Sequence, residues 1–115
     1  MNNNIKLIVY AVSDLAAAKK LFGVFLNVQP YVDSAYYVGY KAGELEVGLT
    51  PKSPSQNASP PVVYTDTDDI RTSMKMLSDA GATVVQEPKD VGGGMTVVMV
   101  KDNDGNIFGL RQKSL

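Results

Sequence analysis

The chain has 115 residues, with 11 Lys plus Arg against 12 Asp plus Glu for a net charge of −1, and it contains neither Cys nor His. The missing Cys excludes disulfides, thiolate metal sites and a cysteine nucleophile, and the missing His removes the commonest general base and the usual Zn or Fe ligand. With charges of both signs scattered rather than clustered, there is no basic face for nucleic acid.

At this length one domain is expected, 1–115, with about two thirds of the unfolded surface removed from water on folding. Apolar runs fall far short of the ~20 residues that span a bilayer. The opening MNNNIKLIVYAVSD has no extended apolar region and no small-residue cleavage site, so the expectation is a soluble cytoplasmic protein without a membrane partner.

Ile5 to Val12 is apolar with β-branched residues and hardly alternates, as a central strand does. Ser13-Asp14 offers a helix N-cap, and Leu15, Lys19, Phe22 and Leu26 with Leu21 and Phe25 give helical spacing through about Leu26. Pro30 prevents continuation, and Tyr31 to Lys41 holds one or two Tyr-rich strands. Ala42-Gly43 is a turn. Glu44 to Thr50 then alternates, with Leu45, Val47 and Leu49 on one face and Glu44, Glu46 and Gly48 on the other.

Pro51 to Pro61, PKSPSQNASPP, is polar and proline-rich and is expected to link two halves, a first module of about 1–50 and a second of about 62–115. The second half repeats the order. Val62 to Thr65 is a strand, Thr67 or Asp68 can cap, and Ile70, Met74 and Leu77 with Met76 and Ala80 make a helix stopped at Gly81. A strand over Thr83 to Glu87, a loop through Gly92-Gly93-Gly94 and strands over Met95 to Val100 and Ile107 to Arg111 follow. Asp104-Gly105 between the last two is expected to form a tight hairpin turn with positive φ.

Each half therefore reads β-α-β-β-β. Val9-Tyr10 with Ser13-Asp14 matches Val63-Tyr64 with Thr67-Asp68, and Lys41, Gly43 and Gly48-Leu49 echo Lys101, Gly105 and Gly109-Leu110. Such duplication fixes architecture before detail. Gly92-Gly93-Gly94 lacks the Lys-Ser/Thr of a phosphate loop and is expected to be a hairpin or cleft lid. Asp102-Asn103-Asp104-Gly105 is part of a calcium-loop pattern, but its twelfth position is Lys113, so no calcium site is expected.

The opening strand with Ser13-Asp14-Leu15, then Asp69-Ile70, Leu77 and Ala80-Gly81-Ala82, and Lys101-Asp102 through Gly105-Asn106 near the end, resemble the vicinal oxygen chelate superfamily of glyoxalases, bleomycin-resistance proteins and extradiol dioxygenases. Asn103 stands where the family commonly has Pro. The resemblance covers nearly the whole chain and implies an α+β fold, two β-α-β-β-β modules forming a curled mixed sheet around a cleft. It also implies a homodimer. Metal-dependent members place ligands on the first and last strands of each module, which carries over to Leu7, Gly48, Val62 and Gly109, within about one residue each. None of these side chains ligates a metal. A slipped register could offer Glu46 as one carboxylate, but the chain has no His to join it, so the expectation is no metal and no cofactor.

With the scaffold kept and the metal lost, the cleft becomes an apolar small-molecule site with a few polar groups. Alternation predicts its lining as Glu46 and Gly48 from one module and Ile107, Gly109 and Arg111 from the other, with Leu7 and Val62 behind them. Glu46 and Arg111 are expected in roughly equivalent places, either paired with each other, facing a charged ligand or solvated at the rim. Of Tyr31, Tyr36, Tyr37 and Tyr40, one or two should reach the cleft, with Tyr37 and Tyr40 the candidates, and Met95 and Met99 at period two are adaptable lining. The expected function is metal-independent small-molecule binding, including drug or metabolite sequestration. The alternatives are a glyoxalase- or dioxygenase-like enzyme with a divergent site, in which Glu46 is the acid/base, and a ligand-sensing or oligomerisation module.

Overall fold

Each amphipathic helix in this sequence is preceded by one strand and followed by three, and the structure keeps that order. The computed structural model describes residues 1, 3–52 and 61–114, so most of the expected linker lies outside the described residues. The chain divides into two units, Lys6–Val62 and Val63–Leu115 together with Met1–Ile5.

In the first unit β1 (Ile5–Val12) leads into α1 (Leu15–Leu26), followed by β2 (Val32–Asp33), β3 (Val38–Ala42) and β4 (Leu45–Pro51). The strands lie in the order β2-β3-β4-β1, and β1 is parallel to β4 while the other pairs are antiparallel. Asp14 caps α1, accepting a hydrogen bond from the Ala17 amide at 3.0 Å, and Asn27 ends it in the left-handed conformation at φ 55°. One sheet face carries Val38, Tyr40, Val47 and Leu49, and against it pack Leu15, Ala18, Phe22 and Leu26 of the helix. The outer side of α1 leaves Leu21, Val24 and Phe25 exposed.

The second unit holds β5 (Val62–Asp66), α2 (Ile70–Asp79), β6 (Thr83–Gly92), β7 (Met95–Lys101) and β8 (Ile107–Lys113). Its strand order, β5-β8-β7-β6, is that of the first unit, again with the first strand parallel to the last. Ile70, Val98 and Leu110 form its core with Met74, Leu77 and Val84.

Several expectations need correction. The N-cap of α2 is Asp69 rather than Thr67 or Asp68. Its carboxylate accepts from the Thr72 amide at 3.1 Å and from the Thr72 hydroxyl at 2.8 Å. Thr67 turns inward to Ser73, 2.7 Å between hydroxyls. The strand begun at Thr83 continues past Glu87 and Pro88 to Gly92, with three register shifts against β7 that absorb the proline. Asp104-Gly105 does not make a two-residue turn. Lys101 pairs with Ile107, and the loop between them is organised by Asp102, whose carboxylate accepts from the amides of Asp104 and Asn106 at 2.9 Å each. Gly105 does take a positive φ of 85°.

Candidate functional site

In the first module, strand alternation sends Gly39, Lys41, Glu46 and Gly48 to the face turned away from α1, since Val38, Tyr40, Val47 and Leu49 pack against the helix. Gly39 and Gly48 are cross-strand partners. Their missing side chains leave a trough, and two tyrosine rings fill it. A Cβ on Gly48 would stand 2.2 Å from the Tyr37 hydroxyl oxygen, and one on Gly39 would stand 3.0 Å from Tyr37 Cε2 and 3.1 Å from Tyr31 Cε1.

Tyr37 is set by the short turn between β2 and β3. There Ser34 Oγ accepts from the amides of Tyr36 at 3.2 Å and Tyr37 at 3.1 Å. Tyr31 donates its phenol proton to Glu46 Oε1, and the Lys41 ammonium lies 4.8 Å from the centre of the Tyr31 ring. Leu7, beside Glu46 in the parallel register, is buried. The result is an aromatic floor with one carboxylate and one ammonium at its edge.

Tyr40 is placed elsewhere. It is fully buried on the α1 side and donates to the Lys19 carbonyl oxygen at 2.7 Å, which removes it from the face that carries Glu46 and Gly48. The hollows recorded in this module also lie on the helix side, one of about 260 Å³ among Tyr10, Leu21, Phe22 and Phe25.

In the second module the register runs Tyr64, Gly109, Met99 across one row and Asp66, Arg111, Val97 across the next, with Met95 opposite Lys113 beyond. Because Val98 and Leu110 pack on α2, these residues share the opposite face. Met95, Met99, Gly109 and Arg111 are therefore brought together. Arg111, 9% exposed, gives Asp66 a forked contact, Nε to Oδ1 at 2.8 Å and Nη2 to Oδ2 at 3.4 Å. Tyr64 covers Gly109, where an added Cβ would stand 2.3 Å from Tyr64 Cε2 and 3.0 Å from the Val98 carbonyl oxygen. Burial raises the Tyr64 phenol above its usual value of 10.0, so it stays protonated.

Sequence reasoning missed Tyr64, although Val62 in the expected lining places the residue two positions on along the same face. The pairing also revises the equivalence between modules. Gly48 pairs with Val9 and Gly109 with Tyr64, so Glu46 corresponds to Ile107 and Arg111 to Thr50, and Glu46 and Arg111 are not counterparts. Glu46 accepts from the Tyr31 phenol, and Arg111 donates to Asp66.

A family model described as the glyoxalase/bleomycin resistance protein/dioxygenase superfamily matches residues 4–110. The chain belongs to this superfamily. Among solved structures, this superfamily member is similar to the hypothetical protein BH1468 from Bacillus halodurans C-125, with a TM-score of 0.82 and 14% identity over 100% of this chain and 97% of that one. It is also similar to a methylmalonyl-CoA epimerase variant of Streptomyces coelicolor in complex with 2-nitronate-propionyl-CoA, with a TM-score of 0.76 and 15% identity over 96% and 94%. A third is a superfamily member from Vibrio splendidus 12B01, at 0.71 and 16% over 96% and 100%. At such identities the likeness is one of fold, the α+β glyoxalase fold of paired β-α-β-β-β modules. No curated protein matches the sequence.

The superfamily's metal can be tested against the residues present. Leu7, Gly48, Val62 and Gly109 offer no donor, and at both glycines a tyrosine ring occupies the space that a ligating side chain would need. Among the described residues, no three His, Cys, Asp or Glu side chains gather in a group that could hold a metal ion. The residues do not fit the metal.

Proposed function

We propose that this superfamily member is a small-molecule binding protein that works without a metal, of the kind that sequesters a drug or metabolite. The observation that carries the proposal is the pair of glycine seats, Gly48 under Tyr37 and Gly109 under Tyr64. At each, a ring that presents an aromatic face and a phenol takes the room of a metal-ligating side chain. Met95, Met99 and Arg111 add adaptable apolar lining and a cation already matched by Asp66. Such a surface holds an apolar molecule through area and orients it through few polar groups.

The test is elemental analysis of the purified protein after exhaustive dialysis without chelator. A content well below one metal per chain is expected, together with a melting temperature that neither EDTA nor added Zn²⁺ shifts. Stoichiometric Zn, Ni, Mn or Fe would overturn the proposal.

A catalytic reading draws on the hydrogen bond from Tyr31 to Glu46, which would hold a carboxylate in place as an acid/base. Turnover of an aldehyde or quinone by the wild type, abolished in Glu46→Gln, would establish it. Binding without turnover favours sequestration.

A further inference from the structure

Two tyrosines of this chain are buried, and they are treated differently. Tyr40 has a structural partner for its phenol in the Lys19 carbonyl oxygen. Tyr64, 8% exposed, has no hydrogen-bond partner for its phenol among the described residues. No side-chain oxygen or nitrogen among those residues is both sealed from solvent and unpartnered, so the Tyr64 hydroxyl opens at the surface while its ring is held down on Gly109. The hydroxyl thus keeps access to solvent while its ring is fixed, which leaves it placed to donate to a molecule lying on this face.

The surroundings say what would answer it. Met99 lies across Gly109 in the same row, Val97 in the next, and Met95 beyond. The charges of that next row, Asp66 and Arg111, meet at 2.8 Å. Asp66, two residues along β5 on the same face, has its charge met by the Arg111 guanidinium, so this row presents little net charge to draw an anion. Burial also keeps the phenol protonated, and therefore a donor, throughout the neutral range.

We infer that Tyr64 is the hydrogen-bond donor to a small molecule bound on this face of the second module, and that the molecule presents a neutral oxygen acceptor, a ketone, amide or quinone carbonyl, on an apolar body. The inference rests on the small-molecule reading above and adds to it the residue that orients the ligand and the class of group it recognises.

The experiment uses the full chain, isotope-labelled for amide NMR, titrated with acetophenone, ethylbenzene and benzoate. Acetophenone should shift the amides of Tyr64, Gly109 and Met99, and Tyr64→Phe should bind it roughly five- to tenfold more weakly. Wild type and variant should hold ethylbenzene, which lacks the acceptor, equally, and benzoate should bind less well than acetophenone. Because the phenol has no protein partner to lose, Tyr64→Phe should melt at the wild-type temperature or above. A fall of several degrees would reveal a structural hydrogen bond and overturn the inference. It is likewise overturned if Tyr64→Phe binds acetophenone as the wild type does, or if benzoate is preferred, and in either case the small-molecule reading stands. If none of the three probes perturbs an amide in either module, both fall.

Discussion

At Gly48 a methyl group would stand 2.2 Å from the Tyr37 hydroxyl, and at Gly109 one would stand 2.3 Å from Tyr64 Cε2 with the Val98 carbonyl close behind. Neither glycine has a positive φ, so alanine is admitted by the backbone and its cost is purely steric. Tyr37 meets Gly48 with the far end of its side chain, which can swing, so Gly48→Ala should lose only about 1 kcal/mol in urea denaturation. Gly109→Ala presses on a buried ring and on backbone, and should lose about 3 kcal/mol. Combining Gly48→Ala with Tyr37→Ala should cost less than the sum of the two single changes, because the clash disappears with the ring. Tyr40→Phe should lose about 1 kcal/mol, the worth of its hydrogen bond to the Lys19 carbonyl.

The two helices are capped by the same device, an Asp whose side chain accepts from the amide three residues on. At α2 the hydrogen bonds from the Thr72 amide and hydroxyl hold the Asp69 carboxyl below its usual value of 3.8. A carboxyl with a lowered folded pKa contributes stability that is present above its unfolded pKa and lost as pH falls through the folded one. The melting temperature of the wild type should therefore drop as pH is taken below about 4, and Asp69→Asn, which caps without titrating, should flatten that drop. An unchanged acid limb would remove Asp69 from the account. Asp102 is lowered in the same way by the Asn106 side chain and amide, and contributes to the same limb. The sequence Thr67-Asp68-Asp69 offers three capping residues in a row, and only the phase at which α2 docks on β8 selects the third. Similarly, Asp104-Gly105 carries a turn signal, but the side chain of Asp102 gathers the amides that set the longer loop.

Over the whole molecule, both units build the same strand order with the first strand parallel to the last, which is how a duplicated β-α-β-β-β sequence buries one sheet face under its helix. The opposite faces differ between modules. One carries Tyr31, Tyr37 and Glu46, the other Tyr64, Met99 and Arg111. Two copies of one architecture thus present two different chemistries. We further propose the homodimer that the family resemblance implies. Light scattering at micromolar concentration should return twice the chain mass, and the mass of one chain would overturn the dimer. Among the described residues no helix is long and apolar enough to cross a membrane.

The fold was legible because it is written in local signals: the β-branched run at Ile5, the helical spacing from Leu15, the alternation at Glu44, and their return in the second half. Alternation also set Glu46 and Gly48 on the face opposite Val47 and Leu49, and in the structure Val47 and Leu49 are the pair packed toward α1. It could not tell which tyrosine fills which glycine, because Tyr37 reaches Gly48 across a turn and Tyr64 reaches Gly109 across a parallel pairing distant in sequence. Tyr40, one residue from Gly39, falls to the helix side by the same alternation. Local periodicity determined the elements and their faces, whereas the pairing of strands far apart in the chain decided which side chains share a row.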